Sequence, residues 1–199
     1  MDQDIVVAEL TPLFPILYSV IESAWQSCLN FFEAEEKPYD VFLGPSHFRW
    51  KAKDKLRSFQ PITGDLKVED LSNNGLSIVF HQYRIRIWKT SDGKLPESVN
   101  SSLKDAFLRQ QLVFEFIDES DAISLNLVVL WSTDLELKLL PLILICPRRD
   151  DSGMVPIHDE WTYQIPHPAE TLRTNEDKRK TKKVTFEPIE ASGEEREKL

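Results

Sequence analysis

Apolar residues recur at Leu13, Leu17, Ile21, Ala24, Cys28 and Phe31, and Val20, Trp25 and Phe32 widen the same stripe. Spacings of three and four put these side chains on one face of a helix, predicted over about 12–35. Thr11 before Pro12 supplies a cap and a proline at the first helical position. A second helix is predicted over about 46–59, with Phe48, Ala52, Leu56 and Phe59 along one side. Arg49, Lys51, Lys53, Lys55 and Arg57 alternate there as one strand face would. Lys, Ala and Asp are poor strand formers, however, which favours the helix.

From Gly75 onward the period changes to two. Leu76, Ile78 and Phe80 alternate in one parity and Tyr83, Ile85 and Ile87 in the other, so a bulge or tight turn is required near His81-Gln82. Ser102 with Asp105 resembles a capping box and opens a third helix predicted to about residue 116. The apolar stretches 123–131 and 135–146 flank Ser132-Thr133-Asp134 in the layout of a hairpin. The first is apolar on both parities, as a central strand covered on both faces would be. Pro141 interrupts the second and demotes it to an edge or a bulge. Trp161, Tyr163 and Ile165 mark a last strand. The expected fold is α+β: a mostly antiparallel sheet of about four to five strands from 76–89, 123–131, 135–146 and 160–165, with about three helices packed against it.

Beyond Pro168 the pattern stops. Residues 169–199 carry one aromatic (Phe186) and dense mixed charge, too little apolar surface to offset a chain entropy of about 1–2 kcal/mol per ordered residue. The expected organisation is one globular domain over 1–168, its five tryptophans spread through a single core, followed by a charged disordered tail over 169–199. The tail's 8 basic and 8 acidic residues cancel, so the net charge of −9 lies on the first 168 residues. A body of that sign repels nucleic acid and anionic membranes except at a local basic patch.

Cys28 and Cys146 both fall in apolar segments and make no disulfide framework. The acidic start Met1-Asp2-Gln3-Asp4 lacks the basic region of a signal peptide, and no apolar run is read as reaching the ~18 residues of a membrane span. A cytoplasmic protein without membrane contact is the expectation.

Candidate chemistry is sparse. In the tail, Lys182-Lys183-Val184-Thr185-Phe186 has apolar anchors at alternate positions, as a segment that adds a strand to a sheet edge needs, with Lys183, Val184 and Phe186 as the partner-binding residues. Those five residues resemble the basic–Val–x–Phe docking motif of regulatory subunits of eukaryotic serine/threonine protein phosphatases; the competing interpretation is a solvated tail with two stray apolar residues. Arg49, Lys51, Lys53, Lys55 and Arg57 form a candidate anion-binding strip, with Trp50 available for stacking on a nucleic acid. They serve equally well to neutralise the acidic remainder. Glu136 and Lys138 have the acidic-x-Lys spacing of metal-dependent nucleases, although a third carboxylate, Asp118 or Asp121, is not placed by the sequence. Cys146 lacks the arginine six positions on that a phosphatase nucleophile requires, since residue 152 is Ser. The histidines show no zinc-ligand spacing and the six glycines no phosphate loop.

Neither a metal nor a cofactor is called for. The reading that follows is a non-enzymatic, intracellular protein-binding or regulatory module with a protein partner; antitoxin-like, defence-associated accessory and adaptor roles all fit it. A metal-dependent nuclease or phosphodiesterase using Glu136 and Lys138 is one alternative. A nucleic-acid-binding protein acting through helix 49–57 is another.

Overall fold

In a computed structural model of the chain, the structure describes residues 2–40, 43–71, 75–96, 102–110, 125–149 and 157–169. Met1–Pro168 forms one compact unit and Ala169–Leu199 a second. Of the second, only Ala169 is described, so the expected disorder of the tail and its Lys183, Val184 and Phe186 lie outside the described residues.

The first helical run starts earlier than its periodicity suggests. Helix α1 (Gln3–Leu10) is capped by the Asp2 carboxylate, which accepts from the Asp4 N–H at 3.0 Å. A 3-10 turn (Thr11–Leu13) follows, then α2 (Phe14–Ala34). Thr11 is therefore not the cap: its hydroxyl donates back to the Val7 carbonyl at 2.8 Å. Pro12 and Pro15 lack the N–H that would continue the ladder, which breaks the run into tighter and regular pieces without ending it. By length and composition Gln3–Ala34 is apolar enough to cross a membrane, contrary to the expectation above. Here its stripe is spent on the core instead, with Leu13, Leu17, Val20, Ile21 and Cys28 completely buried.

Helix α3 (Leu43–Thr63) is longer than predicted at both ends. Asp40 nucleates it, its carboxylate accepting from the Leu43 N–H and its carbonyl from the Gly44 N–H, both at 2.8 Å. Phe48, Ala52 and Leu56 form the buried side, as the apolar spacing requires.

Six strands follow in spatial order β1 to β6: β1 (Leu66–Asp70), β2 (Leu76–Phe80), β3 (Tyr83–Lys89), β4 (Leu125–Trp131), β5 (Ile143–Pro147) and β6 (Asp159–Gln164). Every neighbouring pair is antiparallel except β3–β4, which is parallel. The fold is thus α+β, with a mixed six-stranded sheet in place of four to five strands. The parity switch at His81-Gln82 is a two-residue hairpin loop in which His81 takes φ 51°, so 76–89 is two strands. Strand β1 has no counterpart in the prediction: Leu66-Lys67-Val68-Glu69-Asp70 is short and mostly charged, which an edge strand tolerates. A parallel neighbour requires a crossover, and α4 (Ser102–Leu108) lies in it. The helix stops short of its predicted end: Arg109 and Gln110 form a turn in which Gln110 takes φ 57°, and the rest of the predicted span, 111–116, lies outside the described residues.

The predicted strand 135–146 shrinks to its second half. Pro141 offers no donor, and the Asp134 carboxylate instead folds 132–142 into a loop by accepting from the Glu136 and Lys138 N–H groups, both at 2.9 Å. Strand β4 is buried from Asn126 to Trp131, as a central strand should be. The sheet divides the expected single core in two. α1, α2 and α3 cover one face with the large cluster, while Phe107, Leu108, Val128, Leu130, Ile145 and Ile157 form a small one on the other. Successive residues of a strand point to opposite faces, so a sheet covered on both sides builds two clusters.

Candidate functional site

A cleft of about 640 Å³ opens beyond the carboxyl ends of the parallel strands β3 and β4. The crevice outside such ends is a recurrent ligand position in sheets with crossover helices. Trp88 and Lys89 reach it from β3, Thr90 from just beyond that strand, and Leu130 and Trp131 from β4. Helix α3 contributes Pro45, Phe48 and Arg49, α4 contributes Lys104, and Lys94 comes from the segment after β3.

On the side of α2 and α3 the wall is aromatic. Trp131 stacks on Phe48 with ring centroids 4.2 Å apart, and Trp25 stands 5.6 Å from both Trp131 and Tyr39. Gly44 is required beneath Tyr39, because a Cβ there would overlap the phenol ring. The Lys89 ammonium lies within this group, 4.4 Å from the Trp25 centroid, 5.2 Å from Trp131 and 5.4 Å from Tyr39. Burial lowers its pKa, with the nearby Cys28 opposing that shift. A cation held over ring faces and shielded from water gains about 2 kcal/mol.

On the α4 side two more cations sit over rings. The Arg86 guanidinium carbon is 4.1 Å from the Phe107 centroid, and Lys104 Nζ is 4.3 Å from that of Trp88. Burial pushes both pKa values down, and the positive charge of Arg86 lowers that of Lys104 further. Among the described residues, the lining contains Arg49, Arg86, Lys89, Lys94 and Lys104 against one carboxylate, Asp92. That carboxylate is already engaged: the Thr90 hydroxyl donates to it at 2.7 Å and the Lys94 N–H at 3.2 Å, which hold it below the usual carboxylate range.

The Nε atoms of Arg49 and Arg86 are buried without a hydrogen-bond partner; the third such atom among the described residues is Nε1 of Trp161. An orphaned buried donor costs about 1–3 kcal/mol, more when charged. The two arginine atoms belong to cations that line one cleft, and neither Nε finds an acceptor among the described residues, although Arg49 Nη2 reaches the Ser46 hydroxyl at 3.4 Å.

The five residues of the predicted basic strip are spread over different neighbours. Of its five residues only Arg49 lines the cleft. Lys53 is 7% exposed and pairs with Asp70 at 3.4 Å, and Arg57 forks onto the same carboxylate at 2.7 and 2.9 Å. Lys51 lies over Trp50 and Lys55 over Phe59. Glu136 and Lys138 pair with each other at 2.6 Å on the exposed 132–142 loop, not on a strand face. Asp118 and Asp121 lie outside the described residues, among which no group of three His, Cys, Asp or Glu is placed to hold a metal ion.

Sequence reading missed Arg86, Lys89, Lys94 and Lys104. The available signal was Arg84 and Arg86 alternating with Ile85 and Ile87, which reads as a solvated strand face until α4 is seen to cover it. Comparison with protein-family models, curated proteins and solved structures finds no match.

Proposed function

We propose that the protein is a non-enzymatic regulatory module that works by binding, and that its recognition site is the cationic cleft beyond β3 and β4. The observation that carries this reading is the gathering of five cations, Arg49, Arg86, Lys89, Lys94 and Lys104, against a single, already engaged carboxylate among the described residues of the lining, with the Nε atoms of Arg49 and Arg86 buried behind it without an acceptor. In a chain of net charge −9, such a concentration of positive charge singles out an anionic ligand or an anionic group on a protein partner. The cleft's size falls in the range of small-ligand sites, about 300–1,000 Å³. The exposed Glu136–Lys138 pair gives the nuclease alternative little support. For the strip over 49–57, the engagement of Lys53 and Arg57 by Asp70 weighs against phosphate contacts along the whole helix. Free, buried Cys28 and Cys146 suit a reducing cytoplasm.

Trp88 and Trp131 line the cleft and report on it. Titration with sulfate, orthophosphate, citrate and tripolyphosphate at constant ionic strength should change tryptophan fluorescence saturably for at least one anion. The change should vanish in the Arg49→Leu/Arg86→Leu double variant. A response that tracks ionic strength alone, with no saturation by any of the four, overturns the reading.

A further inference from the structure

We infer that the cleft takes a polyphosphate chain and takes it free of divalent metal; this rests on the anion-binding reading above. Strand alternation divides the cations between the two faces of β3. Arg86 points to the face covered by α4, where Lys104 joins it, and Lys89 points to the face covered by α2 and α3, where Arg49 stands. A compact monoanion placed at one group leaves the other uncompensated. A ligand with successive anionic groups, bent around the strand end, meets both.

The arrangement of the donors favours phosphate over carboxylate. Arg86 is held against the Phe107 ring and Lys104 against that of Trp88, so the cleft offers one planar guanidinium and one ammonium at separate places rather than two matched forks. A carboxylate accepts hydrogen bonds close to one plane, whereas a phosphate presents oxygens all round, matching guanidinium forks and point-charge ammoniums together. Exclusion of metal follows from the carboxylates. Magnesium bound with phosphates is held by one or two protein carboxylates. Asp92, the one carboxylate among the described residues of the lining, is occupied by Thr90 and the Lys94 N–H. The cations do the neutralising that magnesium does elsewhere, and magnesium on the chain would cover the oxygens they need.

Calorimetric titrations of the full chain with orthophosphate, tripolyphosphate, ATP and citrate, in EDTA and again in excess magnesium, test this. Tripolyphosphate and ATP should bind about tenfold or more tighter than orthophosphate and citrate in EDTA. Magnesium should weaken both. Binding of ATP beyond that of tripolyphosphate assigns the source as a nucleotide, and equal binding assigns an inorganic or other phosphate chain; either supports the inference. Orthophosphate or citrate binding as tightly as tripolyphosphate, or binding that requires magnesium, overturns the polyphosphate inference and leaves the anion-binding reading standing. No binding of any of the four overturns both. Phosphorus NMR of tripolyphosphate with the same protein gives a second reading: broadening in EDTA that magnesium removes supports the inference, and sharp lines in EDTA refute it.

Discussion

Arg84 and Arg86 stand two residues apart on the same face of β3, and Glu69 accepts hydrogen bonds from Arg84 while acting on Arg86 only at longer range. Its Nε donates to both oxygens of Glu69, at 2.9 and 3.2 Å, and its Nη2 lies 2.9 Å from Oε1. Arg86, opposite Ser77 on β2, has the Phe107 ring on one side and no acceptor for its Nε. In the free protein the ring contact returns about 0.5–2 kcal/mol. The orphaned donor costs about 1–3 kcal/mol or more, so the balance at Arg86 is unfavourable.

That balance sets opposite signs for two substitutions on one strand. Arg86→Leu is expected to raise stability by about 1–3 kcal/mol, because an apolar side chain removes a buried donor that has no acceptor and a charge that only the more distant Glu69 offsets. Arg84→Leu is expected to lower it by a similar amount, since Glu69 then loses its paired cation and keeps only the Ser77 hydroxyl in a largely covered setting. Urea unfolding followed by tryptophan fluorescence measures both. Destabilisation by Arg86→Leu equal to that by Arg84→Leu would show that Arg86 is already satisfied.

Tyr18 ties the end of the sheet to α2. Its hydroxyl donates to the Ile165 carbonyl at 2.8 Å and accepts from the Leu142 N–H at 3.1 Å. Tyr18→Phe strands both backbone groups in a buried position, with an expected loss of about 1–3 kcal/mol. The urea midpoint should fall with the slope unchanged. An unchanged midpoint would mean that water reaches both groups.

His47 stacks on Phe31, with ring centroids 4.8 Å apart, and its Nε2 lies 3.5 Å from Ser27 Oγ. Burial lowers its pKa and the neighbouring Lys51 lowers it further. The unfolded chain takes up this proton near pH ~6.5 and the folded one at lower pH. Above pH ~6.5 both states are neutral at this ring and it exerts no pH effect. As pH falls below that value the unfolded state binds more protons, so stability declines until the folded midpoint is passed. His47→Gln should flatten that part of the profile. A proton NMR titration midpoint above the ordinary histidine value would contradict the assignment.

The two thiols should be inert while the protein is folded. Cys146 is 1% exposed and burial pushes its pKa up to about 12; Cys28 is fully buried, with its pKa likewise raised by burial. The thiolate is the reactive form, so both should resist a thiol-reactive dye in buffer and both react in urea. Rapid modification of either in the native protein would place it at the surface.

The elements whose side chains repeat with a clear period were legible along the chain. The stripe from Leu13 to Phe32 specified a helix, and the two parities on either side of His81-Gln82 specified a turn, because each pattern is a local consequence of backbone geometry. Strand β1 was not legible: Leu66 and Val68 alternate with Lys67 and Glu69 over only four residues, too short a run to stand out on a sheet edge. Nor was the parallel pairing of β3 with β4, since a strand's own sequence does not state the direction of its neighbour. The cleft follows from that pairing. Arg49 was singled out for its charge in a basic helix, yet its relation to Arg86, 37 positions away, exists only after α3 and α4 have covered opposite faces of one sheet. Charge and hydrophobic period are properties of the chain. Whether a charge meets a partner depends on which segments tertiary packing brings around it, and that the structure alone decided.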